Sequence, residues 1–161
     1  RNPTVFMSHA RLMELPGEVP EGPHNLPFGQ AEVKRHGTDL TIVACGIQVH
    51  RALAAAERLA SEDGVQTEVV DPRTLQPLDK ETILASVRKT GRVVVTDESH
   101  DTCGVAAGLA AIIADEGFGA LKAPVKRVST LPVPVPYAQT MEDFITPTTE
   151  RIVATAREIL R

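Results

Sequence analysis

Apolar and polar positions along the chain alternate between a pattern typical of buried strands and one typical of amphipathic helices. Short apolar or β-branched runs predict strands at residues 4–7, 31–34, 41–45, 67–70, 92–96 and 125–128. Between them, apolar residues three and four positions apart predict helices after Gly46, Asp79, Gly104 and Thr148 or Thr149. Strand 41–45 is almost continuously apolar, which is typical of a strand buried on both faces. The alternation predicts an α/β fold, with a mostly parallel sheet and helices on both of its faces.

The predicted helix at residues 104–114 has almost no polar residue on any side. A helix that is apolar all round is expected to be buried all round. Gly104 and Gly108 lie four positions apart and form a narrow stripe where another backbone can approach. Tight packing inside the fold is the favoured interpretation of this stripe, and a contact with a partner is the alternative.

Residues 14–30 separate this region from the start of the chain. They contain four prolines and three glycines, too many for a helix or a central strand, and are interpreted as a linker. The chain begins at Arg1 and runs directly into a strand-like stretch. We therefore expect it to be one domain of a longer protein, with the end of another domain attached.

Composition and charge exclude several classes of protein. The 161 residues include 17 Lys and Arg against 21 Asp and Glu, and only 3% are aromatic, which argues against binding nucleic acid. No apolar run approaches the ~20 residues that span a bilayer, so no membrane association is expected. Cys45 and Cys103 show neither a zinc nor a disulfide spacing, and we expect two reduced thiols.

Ligands of parallel sheets bind beyond the carboxyl ends of the strands, which directs attention to residues 45–47, 71–73 and 97–100. Gly46 alone lacks the pattern of a nucleotide-binding loop and is interpreted as a tight turn. Asp71 and Arg73 are expected to pair with each other or with a neighbouring loop rather than with a substrate. Cys103 is expected to be an inert, packed thiol.

The densest titratable cluster follows the fourth predicted strand of the domain and comprises Asp97, Glu98, His100 and Asp101. A histidine beside carboxylates has the chemistry of an acid or base near neutral pH. Polarity at a surface or an interface is the favoured interpretation. The residues alone thus predict a fold and no defined active site.

Three stretches carry a family resemblance: residues 37–46, the run V-D-P-R-T-L-Q-P-L-D at 70–79, and K-T-G-R-V-V-V at 89–95. They closely resemble the C-terminal domain of the beta subunit in the thiamine-diphosphate-dependent decarboxylating component of 2-oxo acid dehydrogenase complexes. They are also similar to transketolase C-terminal domains in general. The resemblance extends over essentially the whole chain.

The resemblance implies a three-layer αβα sandwich at residues 31–161, preceded by the end of a pyrimidine-binding domain at 1–13 and a linker at 14–30. It implies thiamine diphosphate and Mg²⁺ in the intact enzyme, bound outside this domain, so no catalytic or cofactor-binding residue is expected here. A K⁺ ion near the main chain of Asn2 is a further implication. The implied location is the cytoplasm of a bacterium or the mitochondrial matrix of a eukaryote.

The implied partners are an alpha subunit and a second beta subunit in a heterotetramer, and a lipoyl acyltransferase core that docks on the last helix and the nearby surface. Candidate interface residues are Glu98, His100, Gly104, Gly108, Arg157 and Arg161. Exposed apolar surface around residues 104–114 is expected to drive self-association.

The sequence does not identify the substrate. Residues 99–104 are closer to what we expect of acetoin-type members, and Thr130-Leu131-Pro132 stands where the family usually has Gly-x-Asp. Pyruvate, branched-chain 2-oxo acids and acetoin are all compatible with the chain. The other hypotheses are a non-catalytic interaction module, another transketolase-family domain, and a ligand-binding domain that uses the edge formed by Glu98 and His100.

Overall fold

The computed structural model of the chain describes Pro3, Val5 and residues 9–161. This part contains the strands β1 (Glu32–Arg35), β2 (Leu40–Ala44), β3 (Thr67–Asp71), β4 (Val93–His100) and β5 (Lys126–Thr130). Its α-helices are α1 (Gln48–Asp63), α2 (Lys80–Thr90), α3 (Val105–Glu116), α4 (Gln139–Ile145) and α5 (Thr149–Leu160). Short 3-10 helices cover Ala10–Glu14 and Phe118–Ala120. Within the described residues, no helix is both long and apolar enough to cross a membrane.

The strands form one sheet in the order β1-β3-β2-β4-β5. Strand β1 runs antiparallel to β3, and the other neighbouring pairs are parallel. The predicted mostly parallel sheet is therefore confirmed. The chain crosses from β2 to β3 on one side and then returns past β2 to β4, so the direction of winding changes between β2 and β4. Such a switch point is the usual ligand crevice of an open α/β sheet.

The core has two layers, one on each face of the sheet. Successive strand residues point to opposite faces, so Ile42 packs beneath α1 and α5 while Val43 packs beneath α2 and α3. All five residues of β2 are buried, as its apolar run predicts. The three-layer αβα sandwich is confirmed.

Local signals set the ends of the helices where the sequence predicts them. Asp79 caps α2 by accepting the N–H of Thr82, and Thr148 caps α5 by accepting the N–H of Arg151. Gly64 and Gly91 end α1 and α2 with φ of 70° and 73°, a left-handed conformation that glycine adopts without a steric cost.

Several expectations need correction. Strand β4 continues to His100, with a break in register after Thr96, because β5 still pairs with it there through Thr130. Helix α3 is not buried all round: Ala106, Leu109 and Ile113 are its buried residues, since only one of its faces meets the sheet. Helix α4 was not predicted, because its seven residues show no clear apolar period.

The amino-terminal region is only partly described. Of the predicted strand at residues 4–7, only Val5 lies within the described residues, and Asn2 lies outside them. After the 3-10 helix at Ala10–Glu14, residues 15–31 contain no helix or strand.

Candidate functional site

Glu98 is the centre of a polar network at the carboxyl edge of the sheet. His9 Nε2 lies 2.7 Å from Glu98 Oε2, and Gln48 donates from Nε2 to Oε1 at 3.2 Å. Arg51 Nη1 is 3.5 Å from the same Oε1. Both carboxylate oxygens are thus engaged by groups from α1 and from the segment before the linker.

This network lies at the switch point of the sheet. His9 comes close to Gly46, where an added Cβ would be 3.8 Å from the imidazole ring. Arg11 extends the contact to α4, with Nη2 3.2 Å from Asp143 Oδ1 and 3.4 Å from Glu142 Oε1. His9, from the segment at residues 9–14, therefore lies at the crevice in which such folds bind ligands.

The other residues of the predicted titratable cluster bond different parts of the chain and do not bond one another. His100 is exposed, with Nδ1 3.0 Å from the carbonyl oxygen of Leu131. Asp101 pairs with Arg127 at 3.1 Å. Because each side chain of the cluster engages a different element, the structure does not assemble an acid–base pair from Glu98 and His100.

Asp97 and Ser99 position the start of α3. Asp97 is 4% exposed and accepts a hydrogen bond from the hydroxyl of Ser99, which in turn accepts the N–H of Val105 at 3.0 Å. A Cβ on Gly104 would lie 2.1 Å from Ser99 Oγ and 2.2 Å from the carbonyl oxygen of His100. Gly104 is thus required by the close approach of α3 to β4.

The loop at residues 71–79 connects β3 to α2 and also bonds β1. Arg73 has φ of 57°, donates its N–H to Asp71 Oδ1 at 2.9 Å, and pairs through its guanidinium with Glu32 on β1. Hydrogen bonding by Lys34, together with Arg73, lowers the pKa of Glu32 below its ordinary value. The structure therefore supports the structural interpretation of Asp71 and Arg73.

Two more residues of the motif hold the segment before β1. The N–H of Gly29 donates to Thr74 Oγ1 at 2.9 Å, and the N–H of Ala31 donates to Asp79 Oδ2 at 3.0 Å. Burial opposes ionisation of Asp79, but hydrogen bonds from Thr82 and Ala31 outweigh it and lower its pKa. These side chains of the stretch at residues 70–79 thus contribute to the stability of the fold.

The two cysteines are free, as expected, but their environments differ. Burial raises the pKa of Cys45 to about 12, with a further contribution from the negative charges of Asp97 and Asp71. Cys103 is exposed and adopts φ of 59°. The expectation that Cys103 is packed is wrong, because the turn before α3 carries it outward.

The outer face of α3 is apolar and open. A shallow cleft of about 200 Å³ lies between α3 and the loop before α2, and it is lined by Leu75, Leu78, Val105, Gly108, Leu109 and Ile112. A Cβ placed on Gly108 would meet nothing within 4 Å. Packing within the described part of this chain therefore does not require a glycine at position 108.

The two arginine candidates lie at the other end of the molecule. The Nε of Arg92 donates to the carbonyl oxygen of Ile159 at 3.0 Å, which places the end of α5 beside the amino end of β4. There Arg157 bonds Glu62 and Asp63, each at 2.7 Å, and Arg161 is exposed. The six candidate interface residues thus fall into three regions: the carboxyl edge, the face of α3 and the end of α5.

Sequence reasoning missed His9, Gln48 and Arg51. His9 and Glu98 are 89 positions apart, so no local pattern connects them. A partner for Glu98 could be expected only once β4 and α1 were placed side by side. In the part of the chain that the structure describes, no group of three or more His, Cys, Asp or Glu side chains is placed to hold a metal ion.

Comparison with curated proteins finds close relatives among enzyme subunits. The beta subunit of acetoin:2,6-dichlorophenolindophenol oxidoreductase from Cupriavidus necator is 46% identical over 160 residues, which cover 99% of this chain and 47% of that subunit. The pyruvate dehydrogenase E1 component subunit beta of Bacillus subtilis is 42% identical over 160 residues, covering 99% of this chain and 49% of that subunit. The chain spans about half the length of the curated relatives it matches.

A solved structure agrees with the family resemblance. A split-gene transketolase, described as an inactive beta4 tetramer, is 30% identical and superposes with a TM-score of 0.71, covering 89% of this chain and 45% of that one. The family described as "Transketolase, C-terminal domain" matches residues 29–152, which include all five strands of the sheet. The chain therefore belongs to the transketolase C-terminal domain family.

Proposed function

We propose that this chain is the C-terminal domain of the beta subunit of a thiamine-diphosphate-dependent 2-oxo acid dehydrogenase. Its role there is to support subunit assembly and docking of the acyltransferase core, while the intact enzyme decarboxylates a 2-oxo acid oxidatively and transfers the acyl group to a lipoyl arm. The observation that carries this proposal is the identity of 42–46% with enzyme beta subunits over 99% of the chain.

The chemistry of the reaction belongs outside the described residues. Thiamine diphosphate supplies the carbanion chemistry in such enzymes, and Mg²⁺ anchors it. Both groups are proposed to bind outside this domain, as the family resemblance implies. We accordingly assign no catalytic step to this chain. The expected K⁺ contact at Asn2 stays a prediction.

The partners proposed are an alpha subunit and a second beta subunit. The open apolar face of α3 supports a subunit contact, because exposed apolar surface is a common feature of interfaces between subunits. Of the six candidate interface residues, His100, Gly108 and Arg161 are the exposed ones. We assign direct partner contacts to these three. Glu98, Gly104 and Arg157 shape the surface around them through their bonds within the chain.

Docking of the acyltransferase core is assigned to the end of α5. Arg157 is already bound by two acids, whereas Arg161 is exposed beside it. A basic group at this position attracts an acidic docking surface by complementary charge. Inside a cell, the expected location is the cytoplasm of a bacterium or the mitochondrial matrix of a eukaryote.

Acetoin is a second candidate substrate. The relative reported at 46% identity acts, by its name, on acetoin, and it is more similar to this chain than the pyruvate dehydrogenase subunit at 42%. Such a protein would share the same domain role and differ in the substrate that the other domains accept.

The test is an assay of the natural beta subunit co-expressed with its alpha subunit. We expect activity that depends on thiamine diphosphate, measured with 2,6-dichlorophenolindophenol as electron acceptor, on one of pyruvate, a branched-chain 2-oxo acid or acetoin. This chain alone serves as the control and is expected to be inactive. Tight binding of thiamine diphosphate and Mg²⁺ by the chain alone, measured by calorimetry, would contradict the proposal.

A further inference from the structure

An apolar patch lies exposed on α4 and on the loop that leads into it from β5. Within residues 133–144, Tyr137 is fully exposed and Phe144 is 76% exposed. Single exposed apolar residues are ordinary in a folded protein, whereas a group of them marks a surface that another protein surface covers. The group is referred to as the α4 patch and comprises Val133, Val135, Tyr137, Met141 and Phe144.

The loop of the α4 patch is held in one conformation. Every second residue from 132 to 136 is proline, and proline fixes φ at about −65°. The N–H of Leu131 donates to the carbonyl oxygen of Ile145 at 3.0 Å, which joins the start of the loop to the end of α4. Arg151 on α5 donates to the same carbonyl oxygen at 3.3 Å and to that of Thr146 at 3.2 Å. A surface that is preorganised in this way loses little conformational entropy when it is covered.

The side chains of the α4 patch are of the types found at the centres of protein interfaces. Tyr, Phe and Met are enriched there, whereas Lys, Glu and Asp are depleted. A rigid tyrosine often fills a pocket of the partner and supplies much of the binding energy. Met141 and Phe144 are three positions apart, so they lie side by side on the surface of α4. The patch therefore fits an apolar protein surface with a pocket for the ring of Tyr137.

The amino-terminal segment of the chain arrives beside the α4 patch. Arg11 Nη2 lies 3.2 Å from Asp143 Oδ1 and 3.4 Å from Glu142 Oε1, both on α4. Two positions earlier, His9 contacts Glu98 at the carboxyl edge of the sheet. These contacts fix the point at which the chain enters the domain, and that point is next to α4. Whatever precedes His9 in the natural protein is therefore attached beside the patch.

This attachment favours one occupant of the patch over the others. The chain spans about half the length of the curated relatives it matches, and under the proposed function it is a C-terminal domain that another domain precedes. A domain joined by a short connection is present at an effective concentration on the order of 1 mM, whereas a separate subunit must bind at its own concentration. The α4 patch also lies away from α3, because α4 is bonded to α5, which packs on the opposite face of the sheet from α3.

We propose that the α4 patch is the contact surface for the domain that precedes this one in the same beta subunit. The inference rests on the proposed function, which supplies that domain, and adds the face on which the two domains meet. The preceding domain presents an apolar surface to Met141 and Phe144 and a pocket to the ring of Tyr137. Arg11 holds the connection alongside α4, so that the two surfaces meet in one orientation.

The experiment is photo-crosslinking in the natural enzyme, assembled from complete beta and alpha subunits. Tyr137 is replaced by the photoreactive amino acid p-benzoylphenylalanine, which keeps an aromatic ring at this position. We expect a crosslink within one beta chain, to a residue upstream of His9, so that the product keeps the mass of a single subunit. Peptide mass spectrometry identifies the joined residue. The same replacement at Phe118, which is exposed between α3 and β5 at the opposite edge of the sheet, is the matched control and should give no such crosslink.

Substitution of Phe144 measures whether the contact contributes to stability. The ring is exposed within this domain, so Phe144→Ser loses buried apolar surface only where another domain covers it. In the same enzyme, we expect Phe144→Ser to lower the Tm by at least about 2 °C. Phe144→Leu keeps an apolar side chain and should lower the Tm less. Phe118→Ser is the control and should leave the Tm unchanged.

A crosslink from position 137 to the alpha subunit or to a second beta chain would overturn the proposal, as would the absence of any crosslink. Equal Tm values for the wild type and Phe144→Ser would also overturn it. Failure of the proposed function is recognised separately. A protein that gives the crosslink within one chain but has no activity dependent on thiamine diphosphate contradicts the proposed function alone, and an active enzyme without the crosslink contradicts this inference alone.

Discussion

Glu68 shows how one buried charge is tolerated within the sheet. It is 1% exposed, yet it pairs with the ammonium of Lys89 and accepts the N–H of Gly37 at 3.4 Å. Burial favours its neutral form, but hydrogen bonds from Lys89, Ser86 and Gly37 outweigh burial and lower its pKa. Lys89 comes from the K-T-G-R stretch, so part of this motif serves the stability of the domain.

The two partners of this ion pair should respond differently to substitution. Lys89→Met leaves a carboxylate buried without its counter-charge and should lower the free energy of unfolding by about 3 kcal/mol. Glu68→Gln leaves Lys89, whose side chain is 42% exposed, free to be hydrated, and should cost about 1 kcal/mol. Urea unfolding measures both. Lys80→Met, which breaks an exposed pair with Glu116, is the control and should change little. Equal losses for the two variants would contradict this account.

The lowered pKa of Glu68 also predicts a pH dependence. A carboxyl whose folded pKa lies below its unfolded value contributes stability above the unfolded pKa of 4.5, and loses that contribution as the pH falls through the folded pKa. The stability difference between the wild type and Glu68→Gln should therefore be constant above about pH 5 and shrink as the pH falls below 4.5. Urea unfolding at several pH values measures this difference. A difference that stays constant or grows as the pH falls below 4.5 would refute the assignment.

Among the elements, those that depend on local signals were predictable. Helices α1, α2 and α5 combine an apolar period with a clear cap or a terminal glycine, and the structure has them where the sequence predicts them. The extension of β4 to His100 was not predictable, because it depends on pairing with β5 across the sheet. The apolar pattern of α3 taken alone indicates burial all round, because composition gives the apolarity of a helix but not how many of its faces the rest of the fold covers.

In the candidate site, too, the features that depend on local sequence were predictable and those that depend on tertiary contacts were not. Sequence position identified Glu98 as part of a polar group at a strand end, which the structure bears out. Its partners His9 and Arg51 arrive from distant parts of the chain. A sequence shows which polar residues stand at strand ends. The contacts that determine the role of such a residue are formed only in the tertiary fold.

The 3-10 helix at Ala10–Glu14 should depend on Glu98 for its attachment. Glu98→Ala removes the contact with His9 and leaves the pairs of Arg11 with Asp143 and Glu142 as the remaining described ion pairs of this segment. We expect amide hydrogen exchange at residues 11–14 to quicken several-fold while the core strands keep their protection. Hydrogen exchange with mass spectrometry measures it. Glu57→Ala, at an exposed position of α1, is the control, and an unchanged rate in Glu98→Ala would contradict the expected attachment.

At the scale of the whole molecule, the charged and apolar surfaces point in different directions. The outer side of α1 carries Arg58, Glu62 and their partners, which suits contact with water. The outer side of α3 carries small and apolar residues instead. This contrast supports the proposed subunit contact on α3 and the proposed docking at the end of α5.

The chain should accordingly associate through α3. Ala111 and Ala54 are exposed alanines on α3 and α1, so replacing either by Asp is expected to preserve the fold. A charge at Ala111 would be buried in the contact without a partner, and Ala111→Asp should weaken association at least about tenfold. Ala54→Asp should associate like the wild type. Sedimentation velocity over a range of concentrations measures the oligomer, and circular dichroism checks the fold. A wild-type chain that stays monomeric at high concentration, or an Ala111→Asp variant that associates normally, would rule out α3 as the interface.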